Sequence, residues 1–165
     1  MYLYTCRNNL SNIEKFIEVY SPILSENHVF ILQLKMWLIE GLNRLPYNNG
    51  QCQDILLKKI SLIKEIIRGM APFEAPHSYI NGLLHLELTD TIVQKLFSMF
   101  SHTIENLNQV PLDPMGLIAE AQNCVETAEK VFKNEDASSQ DHSLKMKLCD
   151  LKVSLLNFSA LSNGP

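Results

Sequence analysis

Asp113-Pro114-Met115-Gly116-Leu117 opens the run, continuing to Lys133, that decides how the rest of this chain is read. Asp113 offers a side-chain acceptor just ahead of a proline at the first helical position, where a missing N–H costs nothing. The pattern predicts a helix from Pro114 to about Lys133. Residues 134–140 are polar and interrupt it, after which Ser138 or Ser139 can cap a last helix carrying Leu144, Leu148, Leu151, Leu155, Leu156 and Phe158. From Ser159 to Pro165 the chain is expected to fray.

Working upstream, the same periodicity recurs. Ile92, Val93, Leu96, Phe97, Phe100, Ile104 and Leu107 share one helical face over Thr91 to Asn106, and Tyr79, Ile80, Leu83, Leu84 and Leu86 mark a short helix over Ser78 to Leu88. The pattern leaves open whether Thr89-Asp90 separates the two. A helix from Gln51 to Arg68 is predicted to bury Ile55, Leu56, Ile60, Ile63, Ile66 and Ile67, to leave Lys58, Lys59, Lys64, Glu65 and Arg68 in water, and to end at Gly69 as a C′ glycine. Pro46-Tyr47-Asn48-Asn49-Gly50 has the residues of a loop. Before it, a helix from Ser25–Asn27 to about Arg44 is apolar on more than one stripe, with Val29, Leu32, Met36 and Ile39 added to Phe30, Ile31, Leu34, Trp37, Leu38 and Leu42. It is expected to be a central helix packed on two sides. The first helix begins with a capping box at Ser11-Asn12-Ile13-Glu14, carries Ile13, Phe16, Ile17 and Tyr20 on one face, and is predicted to stop at Ser21-Pro22.

No segment shows the sustained alternation of a strand. The fold class is all-α: six or seven helices in stacked antiparallel hairpins, a bundle or a tetratricopeptide-like superhelix without an exact repeat, forming one domain over 1–165. The 165 residues are 46% hydrophobic and 19% charged, which excludes a disordered tail and allows a sizeable core. Fourteen Lys and Arg against 18 Asp and Glu give a net charge of -4, so there is no basic surplus for nucleic acid. Cys6, Cys52, Cys124 and Cys149 are too dispersed for a zinc knuckle and too few for a disulfide scaffold, and so point to an intracellular setting, cytoplasmic or nuclear. The first residues show no leader pattern, and no stretch reaches membrane-spanning length without a charge, so neither secretion nor membrane insertion is expected.

The residues that carry chemistry do not assemble into a motif. The five histidines, at 28, 77, 85, 102 and 142, never fall one helical turn apart, and His85-Leu86-Glu87 has the wrong phase for shared ligands. No nucleophile elbow or glycine-rich phosphate loop is present. Only Cys52, near a helix N-terminus, has surroundings that favour a thiolate, and Cys124 and Cys149 read as small core residues. No catalytic residue, metal or cofactor is assigned. Lys58, Lys64 and Arg68 are the candidate contacts for an anion or an acidic peptide, with Lys64 and Arg68 one turn apart; a solvated helix face is the alternative. Met36, Trp37 and Tyr79 can line a peptide groove or belong to the core.

Two stretches carry a family likeness. Asn27-His28-Val29-Phe30-Ile31-Leu32-Gln33-Leu34-Lys35 follows Pro22-Ile23-Leu24, and Asn81-Gly82-Leu83-Leu84-His85-Leu86-Glu87-Leu88 follows the helix Ile55 to Arg68 and the turn Pro76-His77-Ser78. Together they resemble the C-terminal helical region of SET and MYND domain proteins, the arthropod branch above all, over roughly Leu10 to Phe158. Asn81 stands where that family usually has Arg, and His77 where it often has Gly. The resemblance implies a tetratricopeptide-like domain from a protein-lysine methyltransferase-like protein. In full-length relatives a SET core binds S-adenosylmethionine and a MYND finger binds zinc. Asn27-His28 lacks the cysteine of the SET motif, since Phe30 stands in its place, and no catalytic residue is carried over.

The expected function is therefore a non-catalytic interaction domain that walls the substrate cleft of a SET core and binds protein partners. An adaptor that holds a peptide near Lys58, Lys64 and Arg68 is the alternative. Packing against a separate core predicts an apolar patch that this chain alone leaves open.

Overall fold

The computed structural model describes residues 10–45, 52–76, 78–103, 113–133 and 139–162, and these are all-helical. Six helices are present among the described residues: α1 (Leu10–Leu24), α2 (Val29–Leu42), α3 (Cys52–Met70), α4 (Tyr79–Thr103), α5 (Pro114–Phe132) and α6 (Ser139–Ser162). They fall into two compact units, residues 1–74 and 75–165. The expected loop at 46–50, the interruption at 134–138, Cys6, His77, Ile104, Leu107 and residues 163–165 lie outside the described residues, as do the side chains of Cys52 and His102.

In the first unit α2 packs against both α1 and α3, as its nearly continuous apolar surface requires. Ile31, Leu32, Leu34, Leu38, Ile39 and Leu42 are buried, whereas Val29, at the first helical position, is exposed. His28 caps the helix, its Nδ1 accepting from the Phe30 N–H at 3.2 Å. Three expectations are corrected here. α1 does not stop at Ser21-Pro22 but continues to Leu24. Pro22 removes only one donor, at an exposed position where solvent serves the freed carbonyl, and the Ser25 N–H resumes the ladder on the Ser21 carbonyl at 3.0 Å. Ser25 itself, at φ 79°, takes the left-handed conformation more often given to glycine. Leu10 is already helical, so Ser11 lies inside the first turn, and the Glu14 carboxylate accepts from Lys58 Nζ on α3.

The second correction concerns Gly69, which sits inside α3 rather than after it. A Cβ there would lie 2.7 Å from Leu32 Cδ2 and 3.0 Å from Asn27 Oδ1, so the glycine permits close approach of α3 to the start of α2. The third is Lys59, expected in water but only 2% exposed. It shares its helical face with Leu56, Ile63 and Ile66, which are fully buried, and its four-carbon stem packs with them.

The second unit is built on α5, which packs against both α4 and α6, and α4 also touches α6. The Asp113-Pro114 start is as read: Asp113 Oδ1 accepts from the Met115 N–H at 3.0 Å. Ser78 caps α4, its hydroxyl accepting from the Asn81 N–H at 3.2 Å, and Asn81 Nδ2 donates to the Pro76 carbonyl at 2.6 Å. α4 runs 25 residues without a break at Thr89-Asp90. Both Thr89 and Thr91 are fully buried, and each donates its hydroxyl to the carbonyl four residues back, His85 at 2.9 Å and Glu87 at 2.8 Å. These bonds satisfy the polar groups without leaving the helix.

Gly82 sets the distance between α4 and α5. A Cβ on it would stand 2.8 Å from Val131 Cγ1 and 3.0 Å from Val131 Cβ. A β-branched side chain has no free rotamer with which to yield. On α6, Phe158 meets Phe97 edge-on at 4.8 Å and stacks on Phe100 at 5.2 Å, and Lys147 pairs with Asp90 of α4 at 2.6 Å. The last helix continues past Ser159, whose hydroxyl donates to the Leu155 carbonyl at 2.9 Å, instead of fraying there.

Candidate functional site

The candidate cations do not form one cluster. Lys58 and Lys64 are six residues apart, about one and two-thirds turns, and so occupy different faces of α3; Lys58 is bonded to Glu14 of α1. Lys64 and Arg68 do share a face, with Arg68 exposed and Lys64 half-buried. Between them Glu65 serves a different charge. Its carboxylate accepts from Lys35 Nζ at 2.9 Å and from the Ser61 hydroxyl at 3.1 Å, and the Lys35 side chain is only 5% exposed. Burial works to raise the Glu65 pKa, but the hydrogen bond and charge of Lys35, helped by Ser61 and Arg68, outweigh it and hold the carboxyl below its usual value.

The other candidates also have structural surroundings. Met36 and Trp37 are half-buried on α2, and the Tyr79 ring meets Phe132 edge-on at 5.7 Å. His85 Nδ1 lies 2.9 Å from the Asn81 carbonyl, and His142 is exposed. Among the described residues no group of three or more His, Cys, Asp or Glu is placed to hold a metal ion, and no helix is long and apolar enough to cross a membrane. Cys124 is buried in α5, as its pattern suggested. Cys149 is exposed, which corrects its assignment to the core. The pattern around it is apolar because α6 has two apolar faces, and Cys149 is on the outer one.

The sequence leads to an expectation of an open apolar patch without identifying its residues, and the structure shows two outer faces of that kind. On α1, Ile13 is buried while Phe16, Val19, Tyr20 and Ile23 are exposed, Ile23 at 71%. Their spacing of three, four and seven residues places them in one stripe, and the Phe16 and Tyr20 rings stack at 5.6 Å. On α6, Leu148, Leu151, Leu155 and Phe158 are buried, while Met146, Cys149, Val153, Leu156 and Ala160 form an open stripe on the other side, with Leu156 66% exposed. The signal was present in the residue spacing. On α6 it goes unread because apolar residues on opposite sides of one helix cancel in any search for a single apolar face; on α1 the buried Ile13 and the exposed Tyr20, seven residues apart, share a face, and spacing alone does not show where along that face burial stops.

Beside the α6 stripe, a shallow groove of about 690 Å³ runs between α5 and α6. Phe132, Leu148 and Cys149 form its apolar part, and Lys130, Lys133, Lys145 and Glu126 stand along it. An adjoining stretch of about 490 Å³ is lined by Val125, Leu155 and Leu156. Lys152 bonds Glu129 at 2.6 Å and ties the two helices across the groove. Both partners are substantially exposed, so the pair contributes about 1 kcal/mol or less. An apolar strip edged by solvated charges is suited to contact with another surface. No family model, curated protein or solved structure matches the chain.

Proposed function

We propose that this chain is a non-catalytic helical protein-interaction domain that docks another protein through the outer face of α1. The observation that carries the reading is the open stripe Phe16, Val19, Tyr20 and Ile23 on a helix whose other side is already packed against α2. A helix on the rim of a soluble unit ordinarily turns charged residues outward. Here four large apolar residues face out together, and burying a side chain of this kind contributes about 1.5–3 kcal/mol. An apolar helix face of this spacing fits a groove or a flat apolar surface on a partner.

The finer form of the proposal follows the resemblance to SET and MYND domain proteins. The partner is then a SET core, the helices wall its substrate cleft, and S-adenosylmethionine chemistry belongs to that core. What supports this form is the residue likeness around Asn27-His28 and Asn81-Gly82, together with an open face of the kind a separate core would cover.

Calorimetric titration of the chain into a purified SET core from a SET and MYND domain protein tests the proposal. Saturable binding is expected, and the double substitution Val19→Asp, Ile23→Lys is expected to weaken it at least tenfold while leaving the helical circular dichroism signal unchanged, because both positions are exposed and an Asp before a Lys at this spacing suits a helix. Absence of binding at ~100 µM, a concentration that reveals contacts of about -5 kcal/mol, would contradict the SET-core form. Equal binding by the variant would contradict the assigned face.

A further inference from the structure

The outer stripe of α6 has a more specific order than the stripe on α1. Met146, Cys149, Val153, Leu156 and Ala160 alternate strictly by three and four residues, the repeat of 3.5 with which one helix winds around another. In heptad terms Met146, Val153 and Ala160 are a positions, and Cys149 and Leu156 are d positions. Lys145 and Lys152 flank the stripe on the g side. Asp150 and Asn157 flank it on the e side.

We propose that this stripe is the contact surface for α6 of a second copy of the chain, the two helices lying parallel and in register. Charge complementarity selects both the occupant and the direction. In a parallel pair the g residue of one helix meets the e residue of the next heptad on the other. Lys145 therefore faces Asp150 of the second copy, and the two-fold axis repeats the pair. An antiparallel pair sets g flanks against each other and e flanks against each other. The g flank holds only Lys145, Lys152 and Ser159, so in that arrangement no lysine meets an acid. Leu148, Leu151, Leu155 and Phe158 are occupied within the unit, which leaves the a and d stripe as the apolar face of α6 open to a second helix. The repeat spans little more than two heptads, so the dimer is weak and concentration-dependent. In register, the two Cys149 side chains at d positions stand opposite each other, which gives the arrangement a direct readout.

The proposal uses a different face from the one on α1, so the two fail separately: substitutions on α6 are not expected to alter binding of a SET core. Sedimentation velocity under reducing conditions, from ~1 to ~200 µM, is expected to show a shift from monomer toward dimer, as for weak contacts of small area. Val153→Gln with Leu156→Gln is expected to keep the chain monomeric across that range with its helical signal intact. Lys145→Glu and Asp150→Lys are each expected to weaken the dimer about tenfold, since two attractive pairs become repulsive, and the double charge swap is expected to restore it. With glutathione disulfide as oxidant, the two Cys149 thiols form one S–S bond, and their two electrons and two protons leave with two molecules of glutathione. Peptide mapping is expected to find the Cys149–Cys149 link. A monomer at ~200 µM, a dimer indifferent to the glutamine substitutions, no restoration by the charge swap, or a dimer without the Cys149 link would each overturn the proposal.

Discussion

Phe132→Ala is expected to lower the stability of residues 75–165 by about 3–5 kcal/mol, the range for removing a buried aromatic ring. Phe132 is 1% exposed and meets Tyr79 edge-on at 5.7 Å, so the loss includes both buried area and an aromatic contact. The cost depends on whether the cavity can close. Here the neighbouring helix has little room to move, because α4 already approaches α5 as closely as Gly82 and Val131 allow. A loss of this size is a large share of the stability of a small unit. Urea unfolding followed by circular dichroism measures the total, and amide exchange assigns it: α4 and α5 are expected to lose protection while α2 keeps it. Leu156→Ala, on an open face, is expected to cost about 0.5 kcal/mol or less. If Phe132→Ala behaves like Leu156→Ala, the packing described for α4 and α5 is wrong.

The pair Lys35–Glu65 is expected to respond asymmetrically to removal of one partner. Glu65→Leu leaves the Lys35 ammonium in a site where the side chain is 5% exposed, and breaking a buried pair in this way costs about 3–5 kcal/mol. Because Glu65 is itself 31% exposed and water can reach part of the site, about 2–3 kcal/mol is the appropriate expectation. Lys35→Met removes the buried charge instead. It leaves a carboxylate that still accepts from Ser61, and a cost near ~1 kcal/mol or less is expected. The same pair gives the first unit an acid-sensitive contribution. The folded Glu65 pKa lies below the ordinary glutamate value of 4.5, so the unfolded chain binds more protons between the two values and stability rises with pH there. The contribution is fully present above pH 4.5 and is lost as pH falls through the lowered folded value. Unfolding curves between pH 7 and acid are expected to be flatter for Glu65→Gln than for the unmodified chain. Equal acid slopes would remove Glu65 from the account.

The all-helical fold was legible because its strongest local signals are chemical. Asp113-Pro114 names a helix start by its acceptor and its missing donor, and the structure places both as read. Elements were misjudged where tertiary packing overrides a local rule. Pro22 and Gly69 are helix stops by propensity, yet α1 continues because the freed carbonyl is at an exposed position, and α3 continues because the glycine gives space to Leu32. Thr89-Asp90 is ambiguous because threonine has a low helix propensity, and here packing decides: Thr89 and Thr91 are fully buried, and their hydroxyls are satisfied by carbonyls of the same helix. The charge of Lys59 predicts exposure, whereas its position on the face shared with Leu56, Ile63 and Ile66 decides its burial. The candidate site was less legible. Lys58, Lys64 and Arg68 were grouped by closeness in sequence, but Lys58 is drawn to Glu14, a partner 44 residues away. The apolar pattern around Cys149 predicts a core position because periodicity finds apolar faces without saying which of two is covered.

The proposed function depends on the outer face of α1, and the proposed dimer on that of α6, being open in the isolated chain. Hydroxyl-radical footprinting at ~1 µM, dilute enough to keep weak dimers apart, tests this directly by comparing residues of the same type on covered and open faces. Phe16 is expected to react much faster than Phe132, and Met146 much faster than Met99, following exposures of 39% against 1% and 52% against 6%. If Phe16 is as protected as Phe132, the chain covers the α1 face by itself and its reading as an interaction domain is contradicted; Met146 as protected as Met99 would contradict the open α6 face in the same way.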